Sequence, residues 1–529
     1  MAGRAEAGRP GRRLTLTVAA AGLFLAALDA YVVVTLLPQM LADIQLPISD
    51  LQAVAPIISG FLTGYVIGMP LVATLSDARG RFPVMAAALV VFGVGSVVTA
   101  LSSSIDMLIL GRVIQGLGGG ALVAPVLGLA ADAFPVGGRN LPVGAVSAVQ
   151  EAGSVFGPLY GALLAVGPIG WRLVFWLNLP LAGLIVWSLW RLRRGPKSAP
   201  MEFERLPAAL DWLGAALIGG ALGLLVLGLY PDDPARRPLN TLATPLLVGA
   251  ALLAILFVWQ QRRRLTPLVP SRVVLSSTFL GALGANLLSG VALMVALVDI
   301  PLLARGTFRE GTLGAGLLLS RLLFGIPIGA VLGGLLRSGV QGRWGSPAGL
   351  LLAAGSFKLM SGWSPTQDLG LGTPSSLELL ACGIGLGVAI APLTSALLDL
   401  APPDRHAVMG SLAVLSRTLG MVVGLSGLTA FGLHRFNQIV ATRGCAIRGG
   451  GGSLGSRLSA YETCVRGALL LEYREIFALA TITCLVAAVL AMISLRGRRT
   501  PLAVGGQIRP GGSATPRGRG LWFRSASDN

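Results

Sequence analysis

Charged residues are scarce in this sequence. Asp, Glu, Lys and Arg together make up 12% of its 529 residues, whereas hydrophobic residues make up 54%. A soluble chain of this size would need far more polar surface to face water. The composition therefore excludes an ordinary soluble domain and indicates an integral membrane protein.

Residue patterns that build catalytic, metal and nucleotide sites are also missing. The two histidines, His406 and His434, lie at predicted loop or interface positions without a third ligand nearby, so we expect no metal site. A Walker-type loop is absent, which argues against an ATP-driven pump. The sequence contains no nucleophile–base pair that would suggest an enzyme, so we expect no enzymatic activity.

Long apolar stretches dominate what is present. Fourteen of them are long enough to cross a hydrocarbon core of about 30 Å. They cover residues 14–37, 52–75, 83–101, 107–131, 141–166, 172–190, 210–229, 242–259, 278–303, 312–336, 347–360, 377–400, 407–433 and 468–495. We therefore predict an all-α integral membrane protein with fourteen transmembrane helices.

The basic residues predict how these helices are oriented. If the N-terminus is cytoplasmic, 26 of the 41 Lys and Arg residues lie in inside segments and 11 in outside segments. Because cytoplasmic loops carry the excess of positive charge, we expect both termini inside. The net charge of +18 is thus a topology signal. It is not gathered on one soluble domain, so we expect no nucleic-acid partner.

Basic connections divide the chain into two six-helix bundles separated by two additional helices. The predicted parts are a cytoplasmic tail (1–13), an N-terminal bundle (14–190), a linker (191–209), the extra helices (210–259), a second linker (260–277), a C-terminal bundle (278–495) and a cytoplasmic tail (496–529). A Gly-Arg-aromatic sequence follows the second helix of each bundle, at 80–82 and 342–344. This faint repeat fits two pseudo-symmetric halves that rock about a central site. The extra helices carry almost no charge, and we expect them to lie outside the transport path.

Five short motifs lie in order on the predicted N-terminal bundle. Three are continuous: residues 28–38 with Asp29, residues 111–116 with Arg112, and residues 171–180. The other two are sets of single residues, one in the connection after the second helix and one along the fifth: Asp77, Gly80 and Arg81, and Gly144, Gly153, Gly157, Pro158 and Gly161.

These motifs resemble those of the major facilitator superfamily, in its fourteen-helix branch of drug:proton antiporters. The resemblance implies two six-helix bundles plus two extra helices, a proton as coupling ion without other cofactors, and a cytoplasmic gate at Asp77, Gly80 and Arg81. It also identifies the glycines and proline of the fifth helix as the antiporter motif.

Within that branch, the chain is similar to actinobacterial exporters of lipids or drugs that work with a periplasmic lipoprotein. Residues 31–35, Glu151, Arg417 and a long outer connection carry this finer resemblance. It implies a multi-pass monomer in a bacterial inner membrane, with a periplasmic lipoprotein carrier as a candidate partner.

Four charged residues lie deep in the predicted membrane. By helical rise, Asp29 is about 22 Å from the cytoplasmic end of helix one, and Arg112 is about 8 Å from the outer end of helix four. In a hydrocarbon core of about 30 Å, these two positions lie at the same depth. Glu151 and Arg417 are each about 15 Å from the cytoplasmic side. Because intramembrane charges are costly and usually functional, we predict two ion pairs whose carboxylates couple proton flow to rocking. The alternative is two static pairs that only neutralise buried charge.

Two further charges, Asp299 and Arg321, lie in the outer third of the predicted helices nine and ten. We predict that they form an ion pair that supports the scaffold.

The outer segment 434–469 is too long for a tight turn between antiparallel helices. Apolar residues continue a helical stripe into it from both sides, at Phe431, Phe436, Ile439 and Val440 and again at Leu458, Tyr461, Val465 and Leu469. We predict that the last two helices project beyond the membrane as a paired extension. Cys445 and Cys464 share this segment, and an oxidising periplasm would join them in a disulfide. Cys382 and Cys484 lie inside helices and behave as small apolar residues.

The combined prediction is a proton-coupled exporter of hydrophobic cargo that works by alternating access. The charge-poor second bundle suits a lipid, similar to triacylglycerol or a glycolipid. It also suits hydrophobic or cationic drugs, so a multidrug:proton antiporter is the alternative. A non-transporting scaffold would not need charges at mid-membrane in both bundles.

Overall fold

The structure is a computed structural model that describes most of the chain. The described residues are 9–44, 55–132, 140–165, 170–192, 212–229, 240–263, 271–310, 312–336, 340–400, 405–443 and 454–496. Within these ranges the protein is helical and contains no strand. The prediction of an all-α protein is therefore confirmed.

Fourteen long helices account for nearly all of the described residues. They are α1 (Arg9–Asp43), α2 (Ala55–Arg79), α3 (Arg81–Ala100), α4 (Ile105–Asp132), α5 (Asn140–Ala165), α6 (Arg172–Leu192), α7 (Trp212–Leu229), α8 (Ala243–Arg263), α9 (Ser277–Gly306), α10 (Thr312–Leu335), α11 (Val340–Met360), α12 (Pro374–Leu398), α13 (His406–Arg443) and α14 (Leu454–Arg496). A four-residue helical turn, Ser271–Val274, precedes α9. Ten of the long helices contain a described stretch long and apolar enough to cross a membrane, so the count of fourteen spans stays a prediction.

The same helix pairings occur in the first and the last six helices. In the first six, α1 packs against α5, α2 against α4, and α3 against both α4 and α6. In the last six, α9 packs against α13, α10 against α12, and α11 against both α12 and α14. Helices at equivalent positions thus pair in the same way, which gives two structurally equivalent halves.

Glycines bring the backbones of the most closely packed helices together. A Cβ atom at Gly64 would lie 2.8 Å from the backbone nitrogen of Leu117, and one at Gly116 would lie against the carbonyl of Phe61. The equivalent pair of the other half repeats this arrangement, with Gly325 and Gly329 on α10 and Gly383 and Gly387 on α12. Small residues allow such approach in membrane helices, where dispersion forces must replace the hydrophobic effect.

The two halves touch at their inner ends, by which we mean the helix ends predicted to face the cytoplasm. A Cβ atom at Gly144 of α5 would lie 2.6 Å from the carbonyl oxygen of Ala330 of α10. A Cβ atom at Gly410 of α13 would lie 2.8 Å from Cβ of Leu127 of α4. A small apolar cluster joins α2 and α4 to the start of α13, and consists of Ala73, Ala124, Ala407 and Val408. The inner side is therefore closed between the halves in this structure.

The two extra helices lie at the periphery. α7 packs against α2, where Gly223 admits the side chain of Ile67, and α8 packs against α7. Leu252 and Ile255 of α8 are among several of its apolar side chains that face outward. Their exclusion from the transport path stays a prediction.

Candidate functional site: buried ion pairs in and between the halves

Asp29 and Arg112 form a closed site inside the N-terminal half. Arg112 Nη1 donates to Asp29 Oδ2 at 2.5 Å, and both side chains are completely buried. Arg112 also lies over the ring of Phe61, 4.3 Å from its centroid, which adds a cation–π contact. The structure thus brings together the two residues that were predicted to pair because they lie at the same depth along their helices.

Carboxamide side chains complete the coordination of Asp29. Asn178 Nδ2 donates to Asp29 Oδ1 at 2.7 Å, and Gln115 Nε2 donates to the same oxygen at 3.3 Å. Both amides also bond to Ser96 of α3, which ties α1, α3, α4 and α6 together around the carboxylate. Each carboxylate oxygen therefore has a donor, as a buried charge requires. The sequence reasoning did not assign these amides a role, although both lie within motifs.

Glu151 and Arg417 form the second ion pair, and this one joins the two halves. Arg417 Nη2 on α13 contacts Glu151 Oε1 on α5, and both residues are more than nine-tenths buried. On the other side of Glu151, Gln150 Nε2 donates to the hydroxyl of Tyr65 at 3.3 Å. Arg417 Nη1 is buried without a hydrogen-bond partner among the described residues. Asp29 thus accepts from three side chains, whereas Arg417 is the donor found for Glu151 among the described residues.

The antiporter-motif glycines hold α5 against both of its neighbours. Cβ atoms at Gly153 and Gly157 would each lie 2.6 Å from a carbonyl oxygen of α1, those of Phe24 and Leu28. Gly144 makes the equivalent approach to α10, and Gly161 is buried. α5 therefore places Glu151 beside the helix that carries Asp29. Pro158 lies within α5, and its side chain is outside the described residues.

A cluster of charges closes the inner end near the predicted gate. Arg81 Nη2 binds Asp132 Oδ2 at 3.0 Å, and His406 Nδ1 lies 2.9 Å from the other oxygen of Asp132. Gly80 has φ of +93°, a region that favours glycine. The side chain of Asp77 lies outside the described residues, so its gate role stays a prediction.

The contact between His406 and Asp132 crosses from the second half to the first. His406 is almost completely buried at the start of α13, and Asp132 ends α4. Sequence analysis placed His406 at a loop or interface position and missed its partner, because Asp132 belongs to none of the five motifs.

The predicted pair of Asp299 and Arg321 is wrong. Arg321 Nη1 instead donates to the carbonyl of Leu369 at 2.7 Å and to Ser376 Oγ at 2.6 Å. The connection between α11 and α12 lies beside the outer part of α10, and its backbone carbonyls accept hydrogen bonds from the guanidinium of Arg321. Asp299 stays buried, and its Oδ2 has no hydrogen-bond partner in the described part of the chain.

The last two helices are long. α13 has 38 residues and α14 has 43, which correspond to about 57 Å and about 65 Å of helix, against a core of about 30 Å. Both therefore extend well beyond a membrane's hydrocarbon core. A bidentate pair links them, with Arg435 Nε and Nη2 at 2.6 and 2.8 Å from the carboxylate of Glu475.

Cys464 at the outer part of α14 is disulfide-bonded, whereas Cys382 and Cys484 are free and buried. Cys445, the predicted partner of Cys464, lies outside the described residues, so this pairing stays a prediction. No group of three or more His, Cys, Asp or Glu in the described ranges could hold a metal ion.

A helical fold of two equivalent halves with ion pairs in and between them is typical of secondary transporters. The sequence matches the Major Facilitator Superfamily profile over residues 19–425, and the chain belongs to this family. It is therefore a multi-pass membrane protein of a transporter superfamily, and the predicted resemblance is confirmed.

Curated relatives cover nearly the whole chain. A triacylglyceride transporter of Mycolicibacterium smegmatis is 38% identical, over 92% of this chain and 88% of that protein. Triacylglyceride transporters of Mycolicibacterium hassiacum and Mycobacterium tuberculosis are each 37% identical, over 93% of this chain and 93% and 96% of their own lengths.

Solved structures agree on the fold. The crystal structure of the human organic anion transporter MFSD10 has a TM-score of 0.56 at 18% identity, covering 89% of this chain and 99% of that one. A bacterial homolog of the human lysosomal transporter Spinster, in an inward-facing and occupied conformation, has a TM-score of 0.52 at 15% identity, covering 92% and 97%.

Proposed function

We propose that this protein is a proton-coupled exporter of apolar lipid, of the triacylglyceride class, that works by alternating access. The observation that carries the proposal is the buried pair of Glu151 and Arg417, which joins the two halves at mid-membrane. The relatives named triacylglyceride transporters support the choice of cargo. We further propose a monomer in a bacterial inner membrane, with both termini cytoplasmic.

Coupling follows from the charge balance of the interface pair. While Glu151 is ionised, its attraction to Arg417 favours the state in which the inner ends are in contact. A proton that binds Glu151 neutralises it and removes this attraction, so the halves can separate on the inner side. Release of that proton to the cytoplasm restores the pair after cargo has entered.

Asp29 supplies a second carboxylate that stays within one half. Its donors come from α4 and α6, so protonation there would loosen contacts among helices of the N-terminal half only. In this proposal Asp29 tunes the shape of that half, and Glu151 sets the contact between halves.

Reconstitution of the full chain in vesicles tests this function. With an imposed pH gradient, a fluorescent triacylglyceride should move only while the gradient lasts, and a pH dye should report proton flow only when cargo is present. Asp43→Asn, which alters an exposed ion pair with Arg172 at the outer end of α1, serves as a control that keeps transport.

Three results would overturn the proposal. Lipid movement that ignores the gradient would remove proton coupling. Gradient-driven movement of a cationic dye such as ethidium, without any lipid movement, would identify a multidrug:proton antiporter. If neither cargo moves, the chain is a scaffold.

A further inference from the structure

Two acidic side chains are buried near each other in the outer third of the C-terminal half. Asp299 of α9 is 3% exposed and Glu472 of α14 is 8% exposed. Asp299 interacts electrostatically with Glu472, and both acids interact with the side chain of Tyr473. The mechanism proposed above uses neither acid.

The packing of α9 against α14 brings the two acids to a similar level. Near the inner end, a Cβ atom at Gly281 would lie 3.0 Å from Cβ of Ser494, and near the outer end one at Gly306 would lie 3.3 Å from Leu469. Counted from the outer contact, Asp299 lies about 10 Å and Glu472 about 5 Å toward the inner side. The difference is about one helical turn.

Three of the arginines near the outer ends of these helices are engaged elsewhere. Arg435 of α13 is held by both carboxylate oxygens of Glu475, Arg321 of α10 by the connection after α11, and Arg474 of α14 by the carbonyl of Trp363. On α11 and α12, the titratable residues at the outer ends are Lys358, which is exposed, and Glu378, which accepts from the indole of Trp363. Among the described residues, no cation forms an ion pair with Asp299 or Glu472.

One carboxylate oxygen of this acidic site, Asp299 Oδ2, is buried and has no hydrogen-bond partner among the described residues. A buried carboxylate without a donor is costly, whereas a carboxylic acid carries its own donor. Gly432 of α13 makes room for the carboxylate of Glu472, because a Cβ atom at this glycine would lie 2.6 Å from Glu472 Oε1.

We propose that Asp299 and Glu472 form a proton-binding site in the C-terminal half that holds one proton between them. Ionising both of two buried carboxylates without a cation is costly in a site of low dielectric, so as the pH falls the pair takes up one proton and shares it. Asp29 and Glu151 differ, because an arginine neutralises each of them. Glu472 is the more exposed member, and we assign it the exchange of that proton with the outer side.

The inference goes beyond the proposed function, because the site binds its proton whether or not a lipid is moved. The site would bind a proton at the base of the outer extension, where α9, α13 and α14 meet. The state of this site would then affect how these three helices pack.

Infrared difference spectroscopy of the full-length protein in lipid vesicles, between pH 8 and pH 5, tests the site directly. Wild type should show a protonated-carboxyl band that changes with pH, and Glu472→Gln and Asp299→Asn should each remove or shift it. The control is Glu462→Gln, which alters an exposed pair with Arg309 on the same helix α14 and should leave the band unchanged.

Proton counting supplies a second readout. Over the same pH range, the Asp299→Asn/Glu472→Gln double variant should take up about one proton fewer per chain than wild type. Equal uptake, or a band that neither substitution alters, would overturn the proposal. Glu472→Gln alone is nearly isosteric, so it keeps the test valid if Asp299→Asn fails to fold.

Discussion

The two ion pairs differ in how firmly their carboxylates are held. Asp29 accepts from Arg112, Gln115 and Asn178 and is completely buried. Glu151 has Arg417 as its ion-pair partner, across the contact between the two halves. The Asp29 site therefore lies within one half, whereas any movement of one half against the other would alter the pair of Glu151 and Arg417.

Neutralising either carboxylate should abolish export without unfolding the protein. Asp29→Asn leaves Arg112 its bond to Gln115 Oε1 at 3.1 Å, and Glu151→Gln keeps a polar group opposite Arg417. Export should fall to the background of empty vesicles, while size-exclusion profiles and membrane insertion match wild type. Transport at the wild-type rate by both variants would exclude a coupling role.

Arg417 and Glu151 should act as one unit. Arg417→Ala should reduce transport as much as Glu151→Gln, and the double variant should be little worse than either, because each single change already breaks the contact. A double-mutant cycle on initial transport rates measures this coupling. Losses that simply add would mean that the two residues work independently.

Depth along a helix predicted both of these pairs, because helical rise is regular. It could not predict the partner of Arg321, because backbone carbonyls in a connection have no distinguishing sequence. Arg321 donates to such a carbonyl and not to Asp299. It also missed the contact of His406 with Asp132, which depends on how the halves meet rather than on either helix alone.

Helix α5 depends on glycines for its close packing against α1. Gly153→Ala would press a Cβ atom against the carbonyl oxygen of Phe24, and we expect a loss of about 1–3 kcal/mol in the free energy of unfolding. Thermal denaturation of the purified protein measures the effect.

Gly183 of α6 provides the matched control, because nothing lies within 4 Å of a Cβ atom there. Gly183→Ala should leave the unfolding temperature unchanged or raise it slightly, since alanine favours helix. Equal destabilisation by both substitutions would show that tight packing of α5 on α1 is not the cause.

The outer extension of α13 and α14 is the second element with a testable role. An extension is not needed to expel a small water-soluble molecule, but it would let apolar cargo reach a periplasmic carrier without entering water. Removing whole turns symmetrically from both helices should therefore reduce lipid export and spare efflux of a small dye. Intact lipid export, or equal loss of both cargoes, would contradict the hand-over role.

At the scale of elements, apolar runs predicted where helices lie, and the continued stripe anticipated the length of α13 and α14. The close packing of α2 on α4 and of α10 on α12 was harder to predict. Glycine is frequent throughout the chain, and only the fold shows which glycines meet a backbone.

At the scale of the whole molecule, the two halves are closed at their inner ends. Gly144 against Ala330, Leu127 against Gly410 and His406 against Asp132 all lie there. The ion pair of Glu151 and Arg417 lies above these contacts and adds to them. We propose that this pair sets the balance between the closed and the open inner side.

A distance measurement between the halves tests that claim most directly. Spin labels at Leu141→Cys on α5 and Ile493→Cys on α14 would both be exposed, while native Cys382 and Cys484 are buried and would not react. In wild type at a pH where Glu151 is ionised, pulsed electron resonance should give one short distance. Glu151→Gln should add a population at longer distance, and the control Asp43→Asn should not. The same distribution in wild type and Glu151→Gln would contradict the claim that this ion pair couples proton binding to rocking.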